Sequence, residues 1–210
     1  MPTQDPGTIV FLLFDRFTTL DITGPYEVLS RIPEYRIFFA GKEKRTYRDP
    51  YGLELKAEYA LDEISRADIV LVPGGFGIDS LMNDQDVIHW LREIDQTTQW
   101  TASVCSGSLL LAQAGLLENR RCTTHWRRKD QLSRFNVIVE NKRYVDDGKY
   151  ITSAGVSAGI DMALYLVAKL KGELAGKIIQ LSMEYDPDPP FNCGSPEKAP
   201  MEVLEKLKNR

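Results

Sequence analysis

The stretch from residue 100 to residue 111 reads Trp100-Thr101-Ala102-Ser103-Val104-Cys105-Ser106-Gly107-Ser108-Leu109-Leu110-Leu111, an apolar strand pattern that runs directly into a helix pattern. Cys105 stands at the junction, and the small residues Ser103 and Gly107 on either side permit a tight turn. This small-x-nucleophile-x-small spacing is that of the nucleophile elbow of α/β hydrolases, with a thiol in place of the serine hydroxyl. The stretch therefore predicts a strand–elbow–helix unit that pushes the sulfur of Cys105 out of the backbone.

The thiol of Cys105 has two interpretations. Free cysteines are often buried and inert, and this is the ordinary expectation for a cysteine in an apolar stretch. At an elbow, however, the sulfur lies next to the unpaired N–H groups and the positive dipole end of the following helix. Because such surroundings lower a thiol pKa, we expect Cys105 to be a reactive catalytic cysteine with an enlarged thiolate population.

Short apolar runs alternate with helical patterns along the rest of the chain. This order is typical of an α/β sandwich with a mainly parallel central sheet and helices on both faces. The predicted strands are 8–14, 35–40, 69–72 and 102–105, followed by a hairpin over 144–151 that turns at Asp147-Gly148. The predicted helices are 25–29, opened by Pro25, and 84–94, 109–117, 157–170 and 174–185.

Composition narrows the class of protein. A chain of 210 residues that is 43% hydrophobic can bury one core, so we expect a single domain over 1–210. The net charge of −4 and the lack of a basic run argue against nucleic acid as a partner. Three irregularly spaced cysteines suit a reducing cytoplasm. We expect neither a signal peptide nor a membrane segment, because no apolar run approaches the ~20 residues of a membrane helix.

The sequence offers little for a metal or a cofactor. His89 and His125 are the only histidines, and neither lies in a Cys/His spacing that closes a tetrahedral metal site. The glycine cluster at 74–77 lacks the lysine of a phosphate-binding P-loop. We therefore expect a small-molecule substrate, no metal and no cofactor.

Three loops are expected to meet at one edge of the sheet. Asp21 follows the first strand, Gly74 and Gly75 follow the strand at 69–72, and Cys105 and Ser106 follow the strand at 102–105. In an open α/β sheet, ligands bind outside the carboxyl ends of the strands. We predict that these loops converge there, although Asp21 has a second interpretation as a helix cap or dipole partner.

Each of these residues suggests a chemical role. A neutral Asp21 would donate a hydrogen bond to the sulfur and serve as general acid, whereas an ionised one would disfavour the thiolate. Backbone N–H groups of Gly74, Gly75 and Ser106 are the usual material of an oxyanion hole. Gly74 and Gly75 are explained equally well as ordinary loop glycines with no role in binding.

Three further features are weaker. His125 is the only plausible histidine base, but we favour a structural role for it, as for His89. The glycine-rich approach to the helix at 157–170 includes Val156 and offers backbone groups to a pocket, or else a tight helix–sheet contact. The proline-rich segment 186–200 forbids a helix over its first part, and we expect it to lie extended against the body with Phe191 as its anchor.

Five motifs of the chain together resemble those of the ThiJ/PfpI superfamily: Leu20-Asp21-Ile22-Thr23-Gly24-Pro25, Val72-Pro73-Gly74-Gly75, Val104-Cys105-Ser106-Gly107-Ser108, Thr123-Thr124-His125-Trp126 and Ala158-Gly159-Ile160-Asp161. The proline-rich ending is similar to that of the isocyanide hydratase group of this superfamily. It reads Glu184-Tyr185-Asp186-Pro187, then Pro189-Pro190-Phe191-Asn192, then Gly194-Ser195-Pro196. The resemblance runs from about residue 8 to about residue 200.

The resemblance implies a flavodoxin-like sandwich of the class I glutamine amidotransferase-like type and a homodimer. It implies Cys105 as nucleophile and Asp21 as its acidic partner. The group hydrates an isocyanide to an N-substituted formamide without a cofactor, through a cysteine thioimidate. Ser106 stands where the closest hydratases tend to carry threonine, and it keeps the hydroxyl.

Two other functions are compatible with the resemblance. The same fold forms the ligand-sensing half of AraC-type regulators, but only residues 201–210 follow the proline-rich segment here, and we expect no DNA-binding region. Other branches of the superfamily are glyoxalase-like or deglycase-like enzymes and peptidases. The peptidase branch usually places histidine directly after the nucleophile, and Ser106 argues against it.

Overall fold

A computed structural model describes residues 5–208. Residues 1–4 and 209–210 lie outside the described residues. The two ends of the predicted 1–210 domain, and the first residues of the N-terminus for which we expected no signal peptide, therefore lie outside them as well. The strands are β1 (Gly7–Leu13), β2 (Tyr35–Gly41), β3 (Thr46–Arg48), β4 (Glu54–Lys56), β5 (Tyr59–Ala60), β6 (Ile69–Val72), β7 (Trp100–Val104), β8 (Arg121–Cys122), β9 (Ile138–Val139), β10 (Tyr144–Asp147) and β11 (Tyr150–Ser153).

Residues 5–208 form eight helices, and five of them correspond to the helices predicted at 25–29, 84–94, 109–117, 157–170 and 174–185. The eight helices are α1 (Thr19–Leu29), α2 (Ile78–Leu81), α3 (Gln85–Asp95), α4 (Gly107–Gln113), α5 (Lys129–Leu132), α6 (Ala158–Lys171), α7 (Glu173–Ser182) and α8 (Met201–Lys208). Asp84 caps α3, because its carboxylate accepts from the N–H groups of Asp86 and Val87. Gly115, with a φ of 80°, adopts the left-handed conformation just after α4, so this helix ends before the predicted residue 117.

A seven-stranded sheet forms the centre of the fold, in the order β10-β11-β7-β6-β1-β2-β5. Its pairs are parallel except for the hairpin between β10 and β11. Every residue of β6 is buried, as expected for a strand covered on both faces. The helices pack in two groups, α1 with α6 and α7, and α4 with α2, α3 and α5. The predicted flavodoxin-like α/β architecture and the hairpin are confirmed.

The first helix differs from its prediction. It begins at Thr19 and not at Pro25, which therefore lies inside the helix. Proline has no N–H to donate to the carbonyl four residues earlier, and this loss has no cost in the first turn of a helix. We therefore expected Pro25 to begin the helix. The helix tolerates this missing bond, and its earlier start places Asp21 in the first turn of α1 rather than in a loop.

The proline-rich segment also differs in part. Among the described residues, 186–196 form no helix or strand, as predicted. Phe191, however, is 77% exposed, so its predicted role as an anchor is wrong. The contact with the body comes later in the chain, where Pro196 and Leu204 line a small cavity beside Trp126. Asn141 also donates a hydrogen bond of 2.7 Å from Nδ2 to Oε1 of Glu197.

Candidate active site

The three predicted loops meet at the carboxyl edge of the sheet. Strands β1, β6 and β7 are consecutive neighbours and run parallel, so their carboxyl ends lie side by side. Asp21 comes from the helix after β1, Gly74 from the loop after β6, and Cys105 directly after β7. The convergence predicted from the sequence is confirmed.

Cys105 has the backbone of a nucleophile elbow. Its φ is 56°, in the left-handed region that few non-glycine residues adopt. Its N–H donates to the carbonyls of Ser153 and Ala154, each at 3.1 Å, and its own carbonyl accepts from Oγ1 of Thr124 at 2.9 Å. Hydrogen bonds from two other elements therefore hold the turn in place against its strain.

Asp21 is completely buried beside this elbow. Its Oδ2 accepts a hydrogen bond of 2.9 Å from the N–H of Gly74. Among the described residues, no donor of regular hydrogen-bond geometry reaches Oδ1. Burial raises the pKa of Asp21 to about 7, although the Gly74 amide and the nearby Cys105 thiol both favour the charged form. The carboxyl therefore changes protonation near neutral pH.

The thiol of Cys105 does not have the lowered pKa that we expected. Burial is the main cause that raises its pKa to about 12, followed by the charge of ionised Asp21. Cys105 is only 7% exposed, so little water reaches the sulfur to stabilise a thiolate. The helix α4 has just seven residues, so its dipole is short. The resting pair above about pH 7 is thus a thiol beside a carboxylate.

Gly74 and Gly75 use their N–H groups differently from the prediction. Gly74 donates to Asp21, and Gly75 donates to Oγ of Ser106 at 3.0 Å. Both amides are therefore occupied by side chains of the chain itself, and the predicted oxyanion hole is not formed by them. A Cβ on Gly74 would lie 2.5 Å from the backbone N of Ser106, so glycine is required for this close approach.

Two other backbone groups lie near the sulfur. The N–H groups of Ser106 and Val156 favour the ionised form of the thiol and so act on its pKa against the larger effect of burial. Val156 has a φ of 41°, which is strained for a β-branched residue. The structure therefore brings both predicted residues close to the thiol of Cys105.

His125 lies at the margin of the site. It follows β8 and precedes a short 3-10 turn, where its Nδ1 accepts from the N–H of Arg127 at 3.3 Å. Burial, and then the charges of Arg127 and Arg128, lower its pKa. In the described part of the chain, no hydrogen bond joins His125 to Cys105. A structural role agrees with these contacts, and exposed His89 pairs only with Glu93.

A surface groove of about 520 Å³ opens beside the elbow. Its lining includes His125, Val156 and residues 194–198 of the proline-rich segment. Sequence reasoning missed this groove, together with Thr124, because its walls come from segments far apart in the chain. Thr124 stands directly before His125 in a motif that we had already singled out, which was the one available signal.

Within residues 5–208, no group of three or more His, Cys, Asp or Glu side chains is arranged to hold a metal ion. Within the same residues, no helix has the length and apolar character needed to cross a bilayer.

The fold and the site define an α/β protein with a cysteine at a nucleophile elbow and a buried carboxyl beside it. The model of the DJ-1/PfpI family matches residues 7–169, and the chain belongs to this family. The superfamily resemblance read from the motifs is thereby confirmed.

The similar proteins include one named as an enzyme and one named as a transcriptional regulator. The chain is 39% identical to isonitrile hydratase from Pseudomonas putida over 202 residues, which is 96% of this chain and 89% of that protein. A crystal structure of a ThiJ/PfpI family protein from Pseudomonas syringae superposes with a TM-score of 0.94 at 31% identity, covering 99% of this chain and 87% of that one. The transcriptional regulator GbdR from Pseudomonas aeruginosa is 28% identical over 187 residues, 85% of this chain and 51% of the regulator.

Proposed function

We propose that the chain is a cofactor-independent isocyanide hydratase, which converts R–N≡C and water to an N-substituted formamide. The observation that carries the proposal is the pairing of Cys105 at the elbow with buried Asp21, whose pKa of about 7 suits proton transfer at neutral pH. The similarity to isonitrile hydratase over nearly the whole of both chains supports an enzyme and this reaction.

The first half-reaction forms a covalent intermediate. Asp21 takes the proton of the Cys105 thiol as the sulfur attacks the terminal carbon of the isocyanide. The N–H groups of Ser106 and Val156 stabilise negative charge on the sulfur as it loses the proton. Asp21 then gives the proton to the attacked carbon, which leaves the thioimidate R–N=CH–S–Cys105.

The second half-reaction consumes water. A water molecule adds to the thioimidate carbon, and the nitrogen gains a proton as the water loses one. The C–S bond then breaks, its electron pair returns to sulfur, and the remaining hydroxyl proton passes to the thiol as the formamide carbonyl forms. Asp21 carries protons in both halves, and no oxidation or reduction takes place.

The proposal is tested by incubating the purified protein with an aryl isocyanide and following the formamide by absorbance. We expect turnover by the wild type and by Cys193→Ala, which removes a thiol that is not part of the elbow, and none by Cys105→Ala. A wild type that forms no formamide would refute the reaction. Undiminished product from Cys105→Ala would remove the thiol from the mechanism.

A ligand-sensing module is the second candidate function, favoured by the similarity to the regulator GbdR over 85% of this chain. Such a module would bind a small molecule in the groove without converting it. The same incubation separates the two functions, because a sensor would show saturable binding of the isocyanide and release no formamide. A glyoxalase-like, deglycase-like or peptidase-like enzyme would instead turn over the corresponding carbonyl or peptide substrate.

The homodimer and the reducing, cytoplasmic location remain proposals that accompany this function. Cys105, Cys122 and Cys193 are all free thiols in the structure, which agrees with a reducing environment. For the dimer, light scattering is expected to give a mass twice the 23.8 kDa of one chain. A mass of one chain at micromolar concentration would contradict it.

A further inference from the structure

The groove beside the elbow is rich in cationic side chains although the whole chain carries a net charge of −4. Of the residues that the structure describes, Glu197 is the only one to line the groove with a carboxylate, and four basic residues line it, namely Lys129, Lys142, Arg143 and Lys198. Its volume of about 520 Å³ is in the range of sites that hold small organic molecules. The groove therefore favours a small ligand with negative charge.

Two of these cations already have an acidic partner. Lys142 pairs with Glu140 at 2.6 Å, and Arg143 pairs with Asp161. Within residues 5–208, no carboxylate lies within ion-pair distance of Lys129, whose ammonium group instead donates to Oδ1 of Asn141. Lys129 thus offers a positive charge that a bound anion can use.

The groove also holds a carboxylate of the chain itself. Asn141 donates from Nδ2 to Oε1 of Glu197 at 2.7 Å, on the exposed proline-rich segment. This hydrogen bond is the largest of the causes that lower the pKa of Glu197 to about 2, and the charge of Lys129 contributes as well. The carboxylate of Glu197 therefore already interacts with the N–H donor of Asn141 and with the positive charge of Lys129.

We propose that Lys129 and Asn141 form a carboxylate-binding subsite, and that this subsite selects isocyanides whose substituent carries a carboxylate. The Glu197 side chain occupies the subsite in the free protein, and the carboxylate of the substrate displaces it. Thr124 and Ala154 line the same groove and hydrogen-bond to the backbone of Cys105, so the groove lies next to the residue that carries the nucleophile. The inference rests on the proposed function for the reacting end of the ligand.

Binding is measured first, because it does not depend on turnover. Calorimetric titration with 4-formamidobenzoate and with neutral formanilide compares the two ligands on the intact protein. We expect the carboxylate to bind about tenfold more tightly to the wild type, as one charge-assisted hydrogen bond predicts. Lys129→Met should remove this preference, and Glu197→Ala should increase it by vacating the subsite.

Lys177→Met is the matched control, since Lys177 lies on α7, is paired with Glu173 and does not line the groove. It should keep the wild-type preference, and thermal unfolding should show that all variants fold. Equal binding of the two ligands to the wild type, or a preference that survives in Lys129→Met, would overturn the subsite.

Turnover then separates this inference from the proposed function. The ratio of kcat/KM for 4-isocyanobenzoate over phenyl isocyanide should follow the binding preference in every variant. If neither isocyanide is converted but the binding preference and its loss in Lys129→Met are observed, the hydratase proposal fails and the subsite stands. If both are converted with equal efficiency and bind equally, the subsite fails and the hydratase stands.

Discussion

Asp21 and Cys105 together decide how many protons the site holds. Burial raises the pKa of both groups, to about 7 for the carboxyl and to about 12 for the thiol. Below about pH 7 the pair carries two protons, and above it the pair carries one, which resides on the sulfur. In the proposed mechanism, attack by sulfur requires the form with one proton, because Asp21 must be free to accept the proton that the thiol gives up.

This proton count predicts the pH dependence of catalysis. We expect kcat/KM for an aryl isocyanide to fall as pH decreases through about 7, approaching tenfold per pH unit, because protonation of Asp21 removes the base. Asp21→Asn should lower kcat/KM by more than about tenfold and should lose this pH dependence. Steady-state rates between about pH 5 and about pH 9 provide the measurement.

Wild-type rates in Asp21→Asn would show that the carboxyl serves only the first turn of α1. Asparagine keeps a carbonyl oxygen that can accept from the N–H of Gly74, so loss of that hydrogen bond does not complicate the comparison.

The elbow depends on how closely α4 approaches β6. A Cβ on Gly107, the first residue of α4, would lie 2.1 Å from the carbonyl oxygen of Val72. That oxygen belongs to backbone in the middle of the sheet, which cannot move aside as a flexible side chain can. The small residue after the nucleophile is therefore required by the packing of a helix on a strand.

Gly107→Ala should consequently destabilise the protein and misplace the sulfur. Overpacking of this kind costs about 1–3 kcal/mol of unfolding free energy, and activity should fall with it. Urea denaturation measures the stability, with Gly194→Ala as control, since a Cβ on Gly194 meets nothing within 4 Å. If both variants unfold at the same urea concentration as the wild type, the contact between α4 and β6 is not limiting.

The buried carboxyl of Asp21 also affects the stability of the whole molecule. Its pKa is about 7 in the folded chain, against 3.8 as its ordinary value, so the folded state binds the proton more tightly than the unfolded state. The folded state therefore loses stability as pH rises from about 4 to about 7, and the loss is complete above that range. The difference in pKa sets an upper limit of roughly 4 kcal/mol on this loss.

Asp21→Asn should thus be more stable than the wild type at about pH 8, by up to roughly 4 kcal/mol, and nearly equal to it at about pH 4. The difference between the two proteins isolates Asp21 from other carboxyls, whose contributions cancel. Urea denaturation at several pH values provides the comparison. A constant difference across this pH range would contradict the raised pKa.

Local patterns were sufficient for most of the fold. The strands at 69–72 and around 8–14, the hairpin at Asp147-Gly148 and the elbow at Cys105 were all predicted, since apolar runs and small or turn-forming residues act over a few positions. The start of α1 and the exposure of Phe191 were predicted wrongly. A helix can accommodate Pro25, and an apolar side chain is buried only where some other element provides a surface for it.

The sequence by itself determined which residues we propose for the chemistry, because a thiol between small residues and a carboxyl after a strand are visible in the order of the chain. Only the tertiary structure decided their protonation and their partners. Burial reversed the expected pKa of Cys105, and the N–H groups of Gly74 and Gly75 bind side chains from α1 and from the elbow rather than a ligand. Solvation and hydrogen-bond geometry depend on residues that are distant in sequence. The groove also depends on such residues, because its walls and the carboxylate of Glu197 come from segments far apart in the chain.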